Sequence, residues 1–350
     1  IHCLPLDPRR ARLRSLKGLL RGQALSLPYY HEPAMAAWVK ALLARRPIER
    51  VLIYSSAMAQ YVRAEQHRPL HRVIDFVDVD SDKWRQYARS RPWPLNWVYR
   101  READTLLEFD RQLAGECAAA VFVSPREVEL FARLAPEVAH RAVAVPNGVD
   151  TDYFSPPTAS DNPYGAHERV LVFTGAMDYW ANVDAVNWFA RELFPAIHRR
   201  VAGARFYIVG SRPSPVVQGL EQLPGVRVTG AVADIRPYLA HAAAAVAPLR
   251  IARGVQNKVL EALAMARPVL ATRAAMDGIL PCAALQPLVA DEPPLLVERA
   301  VELLDGHWRA LGPRGRAWVM DHYSWSENLT RFEQLLQTES LSQPLKEVRL

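Results

Sequence analysis

The stretch from Pro248 to Thr272, PLRIARGVQNKVLEALAMARPVLAT, constrains the fold of this chain more than any other segment. Residues 256–266 contain good helix formers and neither Pro nor Gly, so we predict a helix there. Pro268 ends that helix, and Val269 to Ala271 is a short apolar strand. A strand end, a loop, a helix and a strand in this order indicate one repeat of an α/β fold.

The same stretch suits a nucleoside diphosphate. Gly254 before the helix lets the backbone approach an anion, and the helix N-terminus offers free N–H groups. Lys258 adds a positive charge, and Asn257 and Glu261 share its side of the helix, where Glu261 would accept hydrogen bonds from ribose hydroxyls. The alternative is an ordinary loop–helix–strand unit in which the Glu–Lys pair stabilises the surface by about 0.2–0.5 kcal/mol.

The positive charge is concentrated near the start of the chain. Residues 1–150 carry 23 basic and 17 acidic side chains, whereas the remaining residues carry 20 of each. Residues 9–21 hold Arg and Lys interleaved with Leu. Three interpretations remain open for this segment: a helix lying on a membrane surface, a nucleic-acid contact, or a solvated helix face. No known nucleic-acid-binding module is present, so we predict no nucleic-acid partner.

Length and cysteine content limit the class of protein. The 350 residues suffice for two domains. No run of about 18 apolar residues occurs, and the first residues do not resemble a signal peptide, so we expect neither a membrane span nor secretion. The first residue is not Met, which suggests a fragment. Cys3, Cys117 and Cys282 have no metal-ligand spacing and indicate reduced thiols in the cytoplasm.

Strands alternate with helices in both halves of the chain, which predicts two parallel sheets covered by helices. Ligands of such sheets bind at the carboxyl ends of the strands. Asp78 and Asp80 follow a predicted strand at 73–77, so they are candidates for the acceptor side. A metal site, or strand-end solvation with helix capping by Asp82, would also explain this acidic cluster. No G-x-G-x-x-G motif follows a strand, which argues against a dinucleotide-dependent dehydrogenase.

A domain boundary is expected near residues 150–168. Pro146, Asn147 and Gly148 form a turn signal, and the Pro-rich polar segment SPPTASDNPYGAHE follows. We predict further strands at 1–6, 51–54, 119–123 and 142–145 before the boundary, and at 169–174, 204–209, 226–228, 244–248, 269–272 and 288–289 after it. A single amphipathic helix is expected over 182–197.

Several motifs resemble family 4 (group 1) glycosyltransferases of GT-B fold. They are GVQNKVLEALAMARPVLAT, then VPNGVD with Phe154 and Pro156, and finally TGAMDYWAN, VG and VTG at successive strand ends. The likeness covers about residues 70–335. The sequence at 256–258 is similar to that of exopolysaccharide sugar transferases of PEP-CTERM/exosortase systems. It implies two Rossmann-like doubly wound domains facing a cleft, the first without its opening strands.

The resemblance also implies domain bounds and site residues. An incomplete acceptor-side domain would span 1–152, a linker 153–168, a nucleotide-sugar domain 169–322, and a helix crossing back 323–350. The implied donor-binding residues are Gly175, Asn182, Gly230, Arg250, Arg253, Gly254, Asn257, Lys258 and Glu261. Arg253 stands where the family has a Glu that contacts the donor sugar. It would therefore bind a negatively charged sugar, or replace the family's Arg/Lys pair at the diphosphate.

By the same resemblance, the protein is expected to be a retaining, metal-independent glycosyltransferase without a cofactor. It would transfer a sugar from a nucleotide-diphosphate sugar to a glycan or lipid-linked acceptor in exopolysaccharide biosynthesis. We expect it in the cytoplasm, at the inner face of the plasma membrane through residues 9–21. No catalytic residue is assigned. The alternatives are a sugar-nucleotide epimerase of the same fold and an inactive scaffold that binds nucleotide-sugars.

Overall fold

The computed structural model describes residues 1–63, 70–89, 91–157, 161–252, 254–283 and 285–337. The chain divides into two compact units. The first contains residues 1–146 together with the segment from Leu329 onward, and the second contains residues 147–328. Each unit has a parallel β-sheet, so the predicted α/β class is confirmed.

The first unit is built on four parallel strands in the order β1-β2-β3-β4. All four residues of β3 are apolar and buried, as an inner strand between helical layers requires. The strands are β1 Arg50–Tyr54, β2 His71–Val77, β3 Ala119–Phe122 and β4 Ala142–Ala144. The helices are α1 Pro8–Leu20, α2 Ser26–Tyr30, α3 Pro33–Arg45, α4 Asp80–Arg89, α5 Leu95–Glu116 and α6 Pro125–Leu134, with 3₁₀ turns at Ser56–Tyr61 and Pro136–Arg141.

The predicted strand at residues 1–6 is wrong. These residues have no regular structure, and β1 is the edge of the described sheet. Apolar residues form a strand only where a neighbouring strand accepts their backbone hydrogen bonds, and none of the described strands does so here.

Helix α1 is tied to α5 by two adjacent residues. The buried Glu102 accepts hydrogen bonds from the backbone N–H groups of Leu25 and Ser26. Arg101 donates to the carbonyl oxygens of Gly18 and Gln23 at 2.9 and 3.0 Å. The charged side chains of α5 thereby satisfy backbone groups at the end of α1 and at the start of α2, which ties both helices to α5.

The last described helix, α15 Trp325–Gln337, contributes its second half to the first unit. Leu335 is 3% exposed and packs with Val73, Val121 and Val145. The His71 ring lies 2.8 Å from the carbonyl oxygen of Leu335. Residues from the end of the chain therefore complete the core of the first unit.

The second unit contains five parallel strands in the order β7-β6-β5-β8-β9. Its core is one continuous cluster that includes Phe173, Phe189 and Phe206. The strands are β5 Arg169–Thr174, β6 Ala204–Val209, β7 Val226–Gly230, β8 Ala244–Ala247 and β9 Val269–Ala271. The helices are α7 Trp180–Trp188, α8 Phe194–Arg200, α9 Pro215–Gln218, α10 Arg236–His241, α11 Asn257–Ala264, α12 Arg273–Met276, α13 Pro293–Leu304 and α14 Leu311–His322.

Prolines explain two differences from the predicted elements. The helix expected over 182–197 is interrupted by a π-helical turn at Phe189–Leu193. Pro195 has no N–H and its ring excludes the carbonyl group four residues earlier, so the regular helix restarts as α8. The strand expected at 288–289 is a 3₁₀ turn containing Pro287, and Val289 forms an isolated bridge with Ala271.

Helix α11 ends in a Schellman arrangement. The N–H of Ala266 donates to the Leu263 carbonyl, and the N–H of Arg267 donates to the Ala262 carbonyl at 2.9 Å. This turn requires a left-handed residue, and Ala266 has φ +53°. Glycine adopts that conformation without the steric penalty of a Cβ atom, so the wild-type chain carries backbone strain directly after α11.

We expect Ala266→Gly to raise the free energy of unfolding by about 0.5–1 kcal/mol, because it removes the Cβ penalty at positive φ. Urea denaturation measures the change. The control is Ala262→Gly inside the same helix, which should lose about 1 kcal/mol or more. An Ala266→Gly variant less stable than wild type would contradict the strain assigned to this turn.

Candidate functional site

A cavity of about 460 Å³ opens at the carboxyl ends of β5, β6 and β7 in the second unit. Backbone and small side chains form one wall, and the first turn of α11 forms the other. It is lined by Thr174, Gly175, Val209, Gly210, Ser211, Ala231, Val232, Ile235, Val255, Asn257, Lys258 and Glu261. This is the edge of a parallel sheet at which ligands bind.

Two glycines make room at this edge. A Cβ atom on Gly210 would lie 1.7 Å from the carbonyl oxygen of Gly175, and one on Gly175 would lie 2.8 Å from the Asn182 amide nitrogen. Neither contact is possible for a real side chain. The ends of β5 and β6 therefore approach each other closely only because both positions are glycine, and this leaves backbone exposed to a ligand.

Among the residues that line this cavity, Lys258 carries the positive charge. Its Nζ donates a hydrogen bond of 2.7 Å to Asn182 Oδ1 and lies 4.8 Å from the centre of the Phe173 ring. Asn182 in turn donates from Nδ2 to the Ala176 carbonyl at 2.9 Å, which fixes its oxygen towards Lys258. Burial lowers the pKa of Lys258 to about 8, while the charge of Glu261 raises it. The ammonium group is thus held by neutral partners in a poorly hydrated place.

Glu261 lies one helical turn after Lys258 on α11. Burial raises the pKa of its carboxyl group, and the Lys258 charge lowers it. Asn257 begins the helix, so the N-terminal turn of α11 also borders the cavity. The partly buried cation and the helix N-terminus match the negative charges of a diphosphate. The carboxylate one turn away matches the hydroxyls of a ribose.

The structure brings most of the predicted donor residues together. Gly175, Asn257, Lys258 and Glu261 line the cavity, and Asn182 holds Lys258. Gly230 and Gly254 each precede a lining residue and have positive φ, +68° and +60°. Arg253 lies outside the described residues.

Arg250 is placed elsewhere. It does not line the cavity, and its guanidinium pairs with Asp184 through two hydrogen bonds, one of 3.0 Å from Nε. It also lies 5.3 Å from the centre of the Trp188 ring. Its predicted role at the diphosphate is not supported by this placement, because the Asp184 carboxylate already neutralises its charge.

The acceptor-side candidates Asp78 and Asp80 share one partner in the first unit. Lys83 Nζ lies 2.7 Å from Asp78 and 2.9 Å from Asp80. This pairing, to which α4 contributes both Asp80 and Lys83, agrees with a structural role for the acidic cluster. Asp82, which the alternative interpretation assigned to helix capping, lies in the first turn of α4. No group of His, Cys, Asp and Glu in the described parts is arranged to hold a metal ion.

Part of the cavity wall, and the burial of one acidic residue, were not anticipated from the sequence. Ala231, Val232 and Ile235 line the cavity but carry no motif beyond the turn at Gly230. Asp75, at the end of β2, has a pKa raised to about 6, mainly by burial. Its position before Asp78 was visible in the sequence, but its burial depends on neighbouring elements.

Comparison with known proteins identifies the segment that holds the cavity. Residues 168–305 match the family model of group 1 glycosyl transferases. No curated protein matches the chain.

Three similar solved structures extend the likeness to both units. They are sucrose-phosphate synthase from Thermosynechococcus elongatus (17% identity, 87% of this chain, 76% of that chain, TM-score 0.66), Anabaena HepE in complex with UDP (14%, 87%, 82%, 0.64), and WaaG, a glycosyltransferase involved in lipopolysaccharide biosynthesis (16%, 89%, 82%, 0.63). At these identities the comparison establishes the fold, and the predicted GT-B fold is confirmed. The match of residues 168–305 confirms the predicted enzyme class, a glycosyltransferase.

We expect the affinity for UDP in metal-free buffer to fall as pH rises through about 8, because the pKa of Lys258 lies there. Only the protonated ammonium attracts the diphosphate, so affinity should drop by up to about tenfold per pH unit above that pKa. Isothermal titration calorimetry at about pH 7, 8 and 9, values that bracket this pKa, measures the change in affinity. Lys258→Met should bind weakly at every pH. A wild-type affinity that does not change over this range would exclude Lys258 from the anion site.

Proposed function

We propose that the protein is a retaining, metal-independent glycosyltransferase that takes a sugar from a nucleoside-diphosphate sugar. The acceptor is a glycan or a lipid-linked acceptor, and the product enters exopolysaccharide biosynthesis in the cytoplasm. The observation that carries the proposal is the cavity at the ends of β5, β6 and β7, where Lys258 and Glu261 lie on the first turns of α11.

The cavity supplies what a diphosphate leaving group needs. When the bond between the sugar and the diphosphate breaks, negative charge develops on the diphosphate oxygens. The Lys258 ammonium and the N-terminal turn of α11 are held in place before the reaction, so they stabilise that charge without reorganisation. Glu261, one turn further along, accepts hydrogen bonds from the ribose hydroxyls, and the turn after Gly230 lies against the base.

Two of the structural likenesses support the donor and the pathway. HepE from Anabaena is described in complex with UDP, and WaaG is described as a glycosyltransferase of lipopolysaccharide biosynthesis. The residues Gln256, Asn257 and Lys258, which resemble exopolysaccharide sugar transferases, stand at the start of α11. They support a bacterial surface polysaccharide as the product.

A donor panel tests the proposal. The protein is incubated with UDP-, GDP- and ADP-sugars, with and without added glycan acceptors, and products are identified by mass spectrometry. Release of nucleoside diphosphate with a glycosylated acceptor supports transfer. Interconversion of the sugar without release indicates an epimerase, and nucleotide-sugar binding without turnover indicates a scaffold.

Glu261→Ala should weaken nucleotide binding by about 1–3 kcal/mol, the range for hydrogen bonds to a charged group. Calorimetry with UDP and with 2′,3′-dideoxy-UDP measures it. The dideoxy nucleotide should bind wild type and variant equally, because it lacks the hydroxyls. Glu221→Ala, an exposed substitution in the same unit, should bind as wild type does. Equal UDP affinity of Glu261→Ala and wild type would remove Glu261 from the ribose site.

We further propose that α1 holds the enzyme at an anionic membrane surface. Ala11 and Gly18 are buried on one side of this helix. Leu13, Leu16 and Leu20 lie on the opposite side and are 68%, 55% and 91% exposed. Successive helical residues are about 100° apart, which places these leucines in one outward ridge. No helix in the described part of the chain has the length and apolarity to cross a membrane.

Basic side chains flank the leucine ridge. Arg9, Arg10, Arg12, Lys17 and Arg21 are all exposed. An apolar ridge bordered by basic residues is typical of helices that lie in the interface of an anionic bilayer. Each basic residue near such a surface contributes about 1 kcal/mol, so the charge and the leucines act together.

We expect the protein to sediment with vesicles containing phosphatidylglycerol, and binding should fall steeply as salt is added, because salt screens the basic residues. The triple variant Leu13→Ser, Leu16→Ser, Leu20→Ser should bind much more weakly at low salt. Leu329→Ser, an exposed leucine of α15, serves as control and should bind as wild type does. If neither vesicle charge nor the leucine substitutions affect sedimentation, α1 is a solvated helix.

A further inference from the structure

A second cavity of the second unit lies at the amino ends of the strands, opposite the carboxyl ends that border the first cavity. It has a volume of about 550 Å³ and is bordered by the chain entering β5, β8 and β9, by the end of α13 and by the start of α14. Its polar lining consists of Glu168, Arg169, His241, Arg267, Asp305 and Arg309. None of these residues belongs to the cavity that holds Lys258.

Both carboxylates of this cavity already have cationic partners. Asp305 pairs with Arg169 at 2.9 Å. Glu168 pairs with Arg205 at 3.1 Å and accepts a hydrogen bond of 2.8 Å from the Tyr207 hydroxyl. The negative charges of the lining are thus already paired with arginine side chains of the protein.

Two guanidinium groups of this lining, those of Arg267 and Arg309, have no carboxylate partner in the described part of the chain. Arg267 is partly buried, its Nη1 donates a long hydrogen bond of 3.3 Å to the Ala242 carbonyl, and its Nε is buried without a partner among the described residues. Burial lowers the pKa of Arg267, and the charge of Arg309 lowers it further. No described carboxylate pairs with Arg267 or Arg309. Two cations that repel each other beside a cavity are stabilised when an anion binds between them.

We propose that this cavity binds a phosphate monoester of a small metabolite through Arg267 and Arg309. A phosphate monoester carries a charge of about −1.5 to −2 at pH 7, which balances the two guanidinium groups. The planar fork of arginine matches phosphate oxygens with two parallel hydrogen bonds. The volume exceeds the need of the phosphate group alone and lies in the range of small-molecule sites, so it also accommodates the esterified metabolite.

This site is separate from the proposed donor cavity, because the two linings share no residue. Strand β5 begins at the arginine cavity and ends at Thr174, in the wall of the other cavity. The binding itself does not depend on the proposed donor or acceptor.

Thermal shift and calorimetry with glycerol 3-phosphate test the site. The measurements use the Lys258→Met variant as background, because it removes the cation of the donor cavity. We expect glycerol 3-phosphate to raise the melting temperature of this background, since a ligand that binds only the folded state stabilises it. Adding Arg267→Gln or Arg309→Gln should weaken binding at least tenfold, whereas the exposed Arg199→Gln should leave it unchanged.

The two arginine variants separate a binding role from a structural one. Arg309 is exposed, so Arg309→Gln should melt as the background does without ligand and still lose the ligand-dependent shift. Glycerol 3-phosphate binding that survives both substitutions, or the absence of binding at millimolar concentration in the background, overturns the proposal. Succinate is the comparison ligand. Equal affinity for succinate overturns the assignment to phosphate esters.

Discussion

The donor cavity depends on the way Lys258 is held. Its ammonium group hydrogen-bonds to the neutral amide oxygen of Asn182 and lies against the Phe173 ring. Both partners orient the cation without neutralising it. Burial disfavours the charged form, and the nearby Glu261 charge offsets only part of this effect, so a bound anion would stabilise the ammonium further. Three elements meet at this contact: Phe173 comes from β5, Asn182 from α7 and Lys258 from α11. The order of the strands in the sheet is what brings them together.

Charge compensation distinguishes the cations that we propose for ligand binding from those with a structural role. Lys83 is held by two carboxylates, and Arg250 by the carboxylate of Asp184. Such ion pairs contribute little to stability at a surface, but they occupy the cation. Lys258 has neutral hydrogen-bonding partners, and Arg267 has a carbonyl acceptor. A Lys or Arg side chain is therefore available to an anionic ligand only where its neighbours are neutral rather than carboxylates.

Glycine and backbone geometry set the shape of the donor cavity. The contact between Gly210 and the Gly175 carbonyl leaves no space for a Cβ atom, so the strand ends come together as bare backbone. On the other side, α11 begins at Asn257 in the cavity wall and ends in the strained turn at Ala266. That turn directs Arg267 towards the opposite edge of the sheet. Helix α11 thus lines the first of these cavities, and the turn that follows it lines the second.

The sequence by itself determined the α/β class, the position of most strands and the placement of Lys258 and Glu261 on one helix. These features follow from local patterns: apolar runs of strand length, helix formers between Gly254 and Pro268, and spacing on a helical surface. The prediction failed where local patterns compete with proline chemistry, as at Pro195 and Pro287.

Only the tertiary structure decided which charged residues are available. The guanidinium of Arg250 is paired with Asp184, which lies 66 residues away in the sequence. Arg267 and Arg309 share a cavity because the start of β9 and the start of α14 meet at one edge of the sheet. Neither fact is visible in the sequence. Whether a charged side chain is available to a ligand depends on its burial and on partners from distant segments. Spacing along the chain reports neither.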